Sequence, residues 1–292
     1  MNRHVDIPVM ADPLLERYHQ DGFAVIPDAI SPAEVDALRA EALKICRGER
    51  GEVEGMTPAG ADEPDDVTIR KYICIHNPHK ISPLTLEALS FPRVVDALTQ
   101  IIGPDVKAMQ SMLFTKGEGR PGQAWHQDEY FIPTRDRSLT AAWIALDDAT
   151  VENGCLWVIP GSHRPGVIYP DREHDDVRFD CTVEAFDFPY SDDEAVAVEI
   201  PAGTALLFNG YLLHRSLPNT GLHGMRRAYV GHYMSAQSLL PWEAPIGEPV
   251  HVGKYDWRDI VMIAGKDPYA YKGLETRTWS QIREDRDGGC GR

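Results

Sequence analysis

Three residues of metal-binding type stand in an arrangement that points to redox chemistry. His126 and Asp128 are two positions apart, and His214 follows the apolar residues 211–213, 88 positions after His126. On a β-strand, residues i and i+2 project from the same face, so the first pair could reach one ion. Two imidazoles and one carboxylate with other positions left open are the ligand set of non-haem Fe(II) oxygenases.

The same three ligands are compatible with a second chemistry. Two His and one Asp also bind Zn²⁺ with an open position for water, as in metal-dependent hydrolases and isomerases. A single His-x-Asp pair is weak evidence, because the chain has 11 His and 45 acidic residues. The neighbouring aromatic residues Trp125, Tyr130 and Phe131 strengthen the interpretation as a built site. Both chemistries stay open at this point.

Composition favours short strands with some helices over a helical bundle. The 292 residues are long for one domain, but all-β barrels and sandwiches reach comparable lengths undivided. A hydrophobic content of 43% is ample for a core, and 22 Pro and 24 Gly indicate many turns. We therefore expect one domain over residues 1–292.

Charge and cysteine content restrict the partners and the compartment. The net charge of −16 argues against nucleic acid and anionic membrane surfaces, because such binding depends on neutralising phosphates. No run reaches 18 apolar residues, which predicts no membrane span. Five Cys without a Cys-x-x-Cys pair, and an N-terminus without an apolar core, predict a reducing, cytoplasmic location. The expected partner is a small molecule.

The N-terminal part, residues 1–104, shows helix signals. Ser31 to Glu34 is a capping box with Pro32 at the first helical position, predicting a helix to about Cys46. A second helix is predicted over residues 91–102, ended by Gly103. Between them we expect a mobile loop over 47–66 and a strand over 67–73 that carries Arg70 and Lys71.

Residues 105–240 read as the strands of a double-stranded β-helix. Apolar runs bounded by turn signals predict strands over 106–114, 140–146, 155–159, 199–208 and 226–235. Residues 171–197 are acidic and predict an exposed excursion or lid, and residues 241–292 form a polar C-terminal extension. The predicted fold is mainly β, a jelly roll with the N-terminal helices packed on one sheet.

Several short motifs resemble the phytanoyl-CoA dioxygenase family of Fe(II)/2-oxoglutarate oxygenases over about residues 21–233. The motifs that carry the resemblance are His126-Gln127-Asp128, Ala142-Trp143, Asn153-Gly154-Cys155-Leu156, Pro160-Gly161-Ser162-His163, His214-x-Ser216 and Arg226-Arg227-Ala228. The resemblance implies a jelly roll that binds Fe(II), 2-oxoglutarate and O2. It implies oxidation of a substrate coupled to formation of succinate and CO2.

The resemblance also implies roles for single residues. His126, Asp128 and His214 resemble the iron ligands, and Arg226 resembles the arginine that binds the far carboxylate of 2-oxoglutarate in fork geometry. The spacing from His214 to Arg226 is one residue longer than the family leads us to expect, which keeps Arg227 as the alternative.

Further candidates for contact with 2-oxoglutarate are less specific. Ser216 and Trp143 resemble family residues that contact this cosubstrate. Lys71 and Gln110 match a cation and a polar residue that the family brings from neighbouring strands, although Lys71 also reads as a solvated lysine. His163, His223 and His232 have no ligand-like spacing, and we interpret them as structural or surface residues.

The predicted reaction is hydroxylation or a related oxidation and not halogenation, because Asp128 occupies the position that is vacant in halogenases similar to this family. The hydrophobic residues Tyr130, Phe131 and Ile132 predict a partly hydrophobic substrate, such as a secondary metabolite. An acyl-CoA substrate, a Zn-dependent hydrolase and a catalytically silent ligand-binding protein are the alternatives. The expected oligomeric state is a monomer or a homodimer.

Overall fold

The structure is a computed structural model that describes residues 14–51, 53–57, 59–180, 182–240 and 256–284. Helices and two facing sheets build this part of the chain. The helices are α1 Leu14–Asp21, α2 Pro32–Cys46, α3 Asp65–Arg70, α4 Pro83–Ala88, α5 Pro92–Ile102 and α6 Asp128–Phe131. The strands are β1 Phe23–Ile26, β2 Tyr72–His76, β3 Val106–Lys116, β4 Gln123–His126, β5 Thr140–Ala145, β6 Leu156–Val158, β7 Asp171–Arg172, β8 Glu184–Ala185, β9 Val196–Val198, β10 Ala205–Asn209, β11 His214–Ser216, β12 Arg226–Ser235, β13 Val261–Ala264 and β14 Gln281–Glu284.

Two antiparallel sheets face each other across an apolar layer. The major sheet has the strand order β1-β10-β5-β12-β3-β2-β14, and the minor sheet has the order β4-β11-β6-β9. Trp125 and Val158 of the minor sheet pack in one buried cluster with Trp143, Leu206 and Val230 of the major sheet. This arrangement confirms the predicted jelly roll.

Alternation along β5 shows how the major sheet separates two environments. Ala142 and Ile144 belong to the apolar cluster that packs under the helices, whereas Ala141, Trp143 and Ala145 belong to the cluster between the sheets. Successive side chains of a strand project to opposite faces, so one strand supplies both layers. The odd-numbered residues of β5 therefore face the interior of the jelly roll.

The N-terminal helices cover the outer face of the major sheet, as predicted. Helix α2 begins at the expected capping box, in which the Ser31 hydroxyl accepts from the backbone N–H of Glu34 and the Glu34 carboxylate accepts from the backbone N–H of Ser31. Its residues Leu38 and Ile45 are fully buried in the cluster shared with the major sheet. Capping of this kind contributes about 1 kcal/mol to helix stability.

The strand predicted over residues 67–73 is wrong. Pro64 stands at the N-cap, Asp65 and Asp66 occupy the first turn, and α3 continues to Arg70 before β2 starts at Tyr72. Acidic residues in a first helical turn interact favourably with the helix dipole, which explains the helix. Lys71 lies at the C-cap of α3 and not on a strand.

The acidic segment 171–197 forms a wall of the jelly roll. Strands β7 and β8 pair within it, and the Asp192 carboxylate accepts from Trp125 Nε1 at 3.1 Å and from Arg215 Nη1 at 2.9 Å. Backbone hydrogen bonds also join Gly122 to this segment, at Arg178 and Asp180. The excursion is thus tied to the minor sheet at two places.

The C-terminal extension contributes strands that the sequence did not predict. Strand β13 pairs with β3, and β14 pairs with β2 at the edge of the major sheet. Residues 241–255 and 285–292 of the extension lie outside the described residues. Over the described ranges, no helix is long and apolar enough to cross a membrane.

Candidate active site

A cavity of about 290 Å³ lies between the two sheets. The alternating residues Gln110, Met112, Phe114 and Lys116 of β3 line it, and so do residues of both sheets and of the acidic segment. The predicted site residues that line the cavity are Gln110, His126, Asp128, Trp143, His214, Ser216 and Arg226. The structure therefore brings together seven of the eight predicted site residues.

The two metal-binding histidines are direct cross-strand neighbours. His126 ends β4, and its Cα partner on the antiparallel strand β11 is His214. Their ring centroids are 4.0 Å apart, and both side chains are buried. Two residues 88 positions apart thus meet because β4 and β11 pair in this register.

Asp128 completes the cluster, although it lies beyond the end of the strand. Strand β4 ends at His126, and Asp128 is the first residue of the short helix α6. Gln127 between them keeps the extended backbone, with φ −129° and ψ 129°, so Asp128 still projects to the same side as His126. Asp128 Oδ1 lies 3.6 Å from His214 Nε2 and 3.9 Å from His126 Nε2.

Hydrogen bonds fix the tautomers that metal binding requires. His126 Nδ1 lies 2.8 Å from the carbonyl oxygen of Ala124, and His214 Nδ1 lies 2.9 Å from that of Leu212. A carbonyl only accepts, so each Nδ1 carries the proton and each Nε2 presents a lone pair. Possible ligand atoms of the three residues lie within 4.8 Å of one another, which suits one metal ion.

Charge at the cluster is arranged for a cation. Burial lowers the pKa of His214 to about 4, so its imidazole is neutral at neutral pH. Burial raises the pKa of Asp128, but the imidazoles of His214, His232 and His126 outweigh this effect and hold it below its ordinary value. The neutral imidazole of His214 and the ionised carboxylate of Asp128 are in the protonation states that bind a divalent metal.

His232 is a site residue that the sequence analysis missed. It lines the cavity from β12, and its Nε2 donates to Asp128 Oδ2 at 3.2 Å. Its spacing from the metal ligands carried no signal. Its spacing from Arg226 was informative, because two residues six positions apart on one strand project from the same face.

Arg226 and Arg227 face opposite sides of β12. Arg226 is buried, lines the cavity and lies over the Trp143 ring, with its Cζ 5.4 Å from the ring centroid. Arg227 points toward the helices and pairs with Asp147 in fork geometry, at 2.8 and 2.7 Å. Within the described residues, Arg226 has no carboxylate partner and its Nε is buried without a hydrogen bond. The guanidinium available to a ligand is that of Arg226.

Lys71 lies away from this cavity. Its ammonium donates to Glu63 Oε2 at 2.7 Å, close to the C-cap of α3. The structure thus corrects the placement expected for Lys71, because helix α3 and its ion pair direct this side chain elsewhere. A different lysine, Lys116 at the end of β3, reaches the cavity and donates to the Ser216 hydroxyl at 2.9 Å.

Glu129 follows Asp128 but does not line the cavity. Its Oε1 accepts from the Thr134 backbone N–H at 2.5 Å and from the Thr134 hydroxyl at 2.6 Å. Burial raises the pKa of Glu129 to about 7. This carboxyl group holds the turn after α6 and contributes no group to the metal cluster. His163, as interpreted from the sequence, is a turn residue and contacts the His19 carbonyl.

Comparison with known proteins agrees with the geometry. The family model described as phytanoyl-CoA dioxygenase (PhyH) matches residues 18–228. A phytanoyl-CoA dioxygenase of Arabidopsis thaliana is 34% identical over 204 residues, which cover 65% of this chain and 68% of the relative. The peroxisomal phytanoyl-CoA dioxygenase of Bos taurus is 26% identical over 281 residues, covering 88% of this chain and 79% of the relative.

Solved structures share the architecture. EvdO2 from Micromonospora carbonacea var. aurantiaca, solved with 2-oxoglutarate, has a TM-score of 0.60 at 25% identity, covering 86% of this chain and 99% of that one. The apo structure of the non-haem monooxygenase ThoJ has a TM-score of 0.63 at 22% identity, covering 87% of this chain and 85% of that one. The family model covers well over half of this chain, and the chain belongs to the phytanoyl-CoA dioxygenase (PhyH) family.

Proposed function

We propose that this chain is an oxygenase that hydroxylates a small, partly hydrophobic organic molecule. In the overall reaction, substrate, O2 and 2-oxoglutarate give hydroxylated product, succinate and CO2. The observation that carries the proposal is the convergence of His126, Asp128 and His214 in the cavity that Arg226 also lines. Membership of the PhyH family supports iron and 2-oxoglutarate as its cofactor and cosubstrate.

The chain's own groups have defined tasks in this reaction. His126, Asp128 and His214 would hold the iron, which supplies the redox chemistry that couples O2 and 2-oxoglutarate to oxidation of a C–H bond. Arg226 would bind the far carboxylate of 2-oxoglutarate, beside Trp143 and Ser216. Gln110 lines the same cavity and supplies an amide for a polar group of a ligand.

The lining of the cavity supports a small and partly apolar substrate. Ile73, Met112, Phe114, Phe131 and Ile132 contribute apolar surface. A volume of about 290 Å³ is at the small end of the range for ligand pockets. Apolar walls also exclude water from the reacting groups. A secondary metabolite of modest size fits this description, and we expect a cytoplasmic enzyme that is a monomer or a homodimer.

Acyl-CoA hydroxylation is the second candidate, because curated relatives of this chain are phytanoyl-CoA dioxygenases. The cavity would accept an acyl chain only, and the phosphates of CoA would have to meet cations outside it. The excess of 45 acidic over 29 basic residues, a net charge of −16, disfavours binding of a polyanion at the surface. A Zn-dependent hydrolase that uses the same ligands is less favoured, because it does not explain why Arg226 faces the cavity.

Succinate formation tests the proposal. Protein with Fe(II), 2-oxoglutarate and O2 should form succinate slowly alone and faster with a true substrate, and the variant His214→Ala should form none. Small apolar metabolites and acyl-CoA thioesters are compared in parallel. If only acyl-CoA thioesters stimulate succinate formation, the substrate is an acyl-CoA. If the protein forms no succinate but catalyses a Zn²⁺-dependent hydrolysis, the oxygenase proposal is wrong.

A further inference from the structure

A small crevice lies next to the active-site cavity and shares Phe131 with it. Its volume is about 10 Å³, which is room for about one group the size of a water molecule. His126 and Phe131 line both the crevice and the cavity. The His126 ring is fixed by its hydrogen bond to the Ala124 carbonyl, so the Phe131 ring is the movable part of the partition between the two spaces.

Helix α6 and the acidic segment build the crevice. Asp171 on β7 is the Cα partner of Ala185 on β8, and both line it. The other lining residues are Gln127, Tyr130, Tyr169 and Val183. Tyr130 and Phe131 are 42% and 38% exposed, so the crevice lies close to the protein surface.

The Gln127 amide offers no hydrogen-bond donor to a ligand. Its Nε2 donates to the Val167 carbonyl at 3.0 Å and to the Tyr211 carbonyl at 2.7 Å. Its Oε1 accepts from the Tyr169 backbone N–H at 2.8 Å. An amide nitrogen has two protons, and both are used within the chain.

The two tyrosine hydroxyls of the crevice also donate within the chain. Tyr130 donates to the Asp171 carboxylate, and Tyr169 donates to Tyr190. The groups left for a ligand are therefore lone pairs, on the phenol oxygens and on a carboxylate that can accept several hydrogen bonds. A ligand group in the crevice has to be a hydrogen-bond donor.

Charge in the acidic segment favours the same kind of ligand. Residues 171–197 contain ten Asp or Glu and two Arg. One of these cations, Arg172, pairs with Glu184 at 3.0 Å. Such a wall attracts a cation and repels a carboxylate or a phosphate. The aromatic rings of Tyr130 and Phe131 add surfaces that also suit a cation.

We propose that the crevice is a subsite for a hydrogen-bond-donating end of the substrate, an amine or a hydroxyl group, and that Phe131 sets the width of the passage to it. The inference rests on the proposed function and adds to it the polar end of the substrate. Asp171 would accept from this end while the apolar part of the substrate lies in the cavity. An ammonium should bind more tightly than a hydroxyl, because its hydrogen bond to a carboxylate is charge-assisted.

Three probes that share one alkyl chain test the subsite without catalysis. Protein loaded with Fe(II) and 2-oxoglutarate under anaerobic conditions is titrated by calorimetry with octylamine, 1-octanol and octanoate. Octylamine should bind about tenfold or more tightly than octanoate, with 1-octanol between them. In the variant Asp171→Asn, octylamine should bind about tenfold more weakly, whereas octanoate should not lose affinity.

Asp175 supplies the matched control. It is exposed, belongs to the same acidic segment and does not line the crevice or the cavity. The variant Asp175→Asn removes the same charge and should keep the wild-type preference for octylamine. Equal losses in Asp171→Asn and Asp175→Asn would mean that only the overall charge of the segment matters, and the subsite would be wrong.

Phe131 is tested with a wider amine. In the variant Phe131→Ala, the affinity for 4-cyclohexylbutylamine relative to octylamine should rise about tenfold, because the partition is removed. Phe131→Leu keeps most of the bulk and should shift this ratio less. An unchanged ratio in Phe131→Ala would show that the ring does not limit the passage.

The outcomes separate this inference from the function on which it rests. If the wild type binds octanoate as tightly as octylamine but forms succinate from 2-oxoglutarate, only the subsite is overturned. If the wild type binds no 2-oxoglutarate and forms no succinate, the proposed function itself is wrong.

Discussion

A hydrogen bond orients each of the three imidazoles at the metal cluster. His126 and His214 use Nδ1 for backbone carbonyls, whereas His232 uses Nε2 for Asp128 Oδ2. The other oxygen, Oδ1, faces the two ligand nitrogens. Such outer partners orient the ligands and tune metal affinity. His232 is therefore a positioning residue for Asp128.

Replacement of His232 should weaken metal binding through the Asp128 carboxylate. We expect His232→Leu to bind Fe(II) about 10–100-fold more weakly, as is usual when an outer-shell partner is lost. His232→Gln keeps an N–H donor and should recover most of the affinity. Anaerobic Fe(II) titration measures both.

A control for this series is His223→Leu, since the His223 side chain is 53% exposed and lies near Glu152. It should bind Fe(II) as the wild type does. Equal Fe(II) affinities for His232→Leu and the wild type would show that His232 does not position Asp128.

Asp128 itself should decide between hydroxylation and halogenation. With the carboxylate present, the wild type supplied with chloride should give hydroxylated product only. Asp128→Ala should lose hydroxylation and bind Fe(II) weakly, because one of three ligands is gone. Mass spectrometry of the products makes the comparison, and a chlorinated product from the wild type would contradict it.

Strand register brings the site together. Pairing of β4 with β11 sets His126 against His214, and pairing of β3 with β12 sets Lys116 against Arg226. The sequence predicted β12 with its observed bounds, put His126 and Asp128 on one face of a strand, and put His214 after an apolar stretch. It could not predict which strands pair, because pairing depends on the whole sheet. Lys116 was missed for this reason.

Two further errors concern secondary structure: the strand predicted over residues 67–73, and the strands β13 and β14 that were not predicted. The apolar run after Val67 suggested a strand, but the acidic first turn made α3 a helix and moved Lys71 out of reach of the cavity. Strands β13 and β14 lacked a clear alternating pattern, and they form by pairing with strands far away in the sequence. Short segments of this kind follow their neighbours more than their own propensity.

Gly122 tests how tightly β11 is packed against the loop before β4. A Cβ atom on Gly122 would lie 1.9 Å from the Ser216 carbonyl oxygen, so the strand would have to shift. We expect Gly122→Ala to destabilise the fold by about 1–3 kcal/mol, as overpacking does, and to weaken 2-oxoglutarate binding as well.

Gly60→Ala is the matched comparison, because its Cβ would meet Glu63 at an ordinary 3.8 Å. Urea unfolding and calorimetry of both variants give the result. If Gly122→Ala is as stable as Gly60→Ala, the close contact between Gly122 and Ser216 does not require a glycine.

The protein combines a strongly acidic overall charge with buried charged groups between its two sheets. The net charge is −16, and Lys116 and Arg226 are buried and line the cavity together with Asp128 and Asp180. Helices cover one face of the major sheet, and the minor sheet covers the other. This layering encloses charged groups of both signs in one buried cavity inside an anionic protein.

Folding stability should fall in mild acid because of buried neutral histidine. Burial lowers the pKa of His79 to about 4 from an ordinary 6.5. The unfolded chain therefore binds a proton that the folded chain rejects, and stability decreases as the pH falls from about 6.5 to 4. The shift corresponds to about 3 kcal/mol at the acid end of this window.

The variant His79→Gln should lose this part of the pH dependence. Its amide can still bond the Ser111 hydroxyl, which lies 2.6 Å from His79 Nδ1 in the wild type. Urea unfolding at pH 7 and pH 4.5, with chelator present, measures the difference. Parallel pH profiles for the variant and the wild type would exclude His79 as the cause.

The most direct test of the account is an anaerobic titration of the Fe(II)-loaded protein with 2-oxoglutarate, followed by visible absorption. Chelation of ferrous iron by a 2-oxo acid produces a charge-transfer band. The account predicts a band that saturates at one 2-oxoglutarate per chain in the wild type, disappears in His214→Ala and needs far more 2-oxoglutarate in Arg226→Met. A wild type without the band, or a His214→Ala variant with the same band, would contradict it.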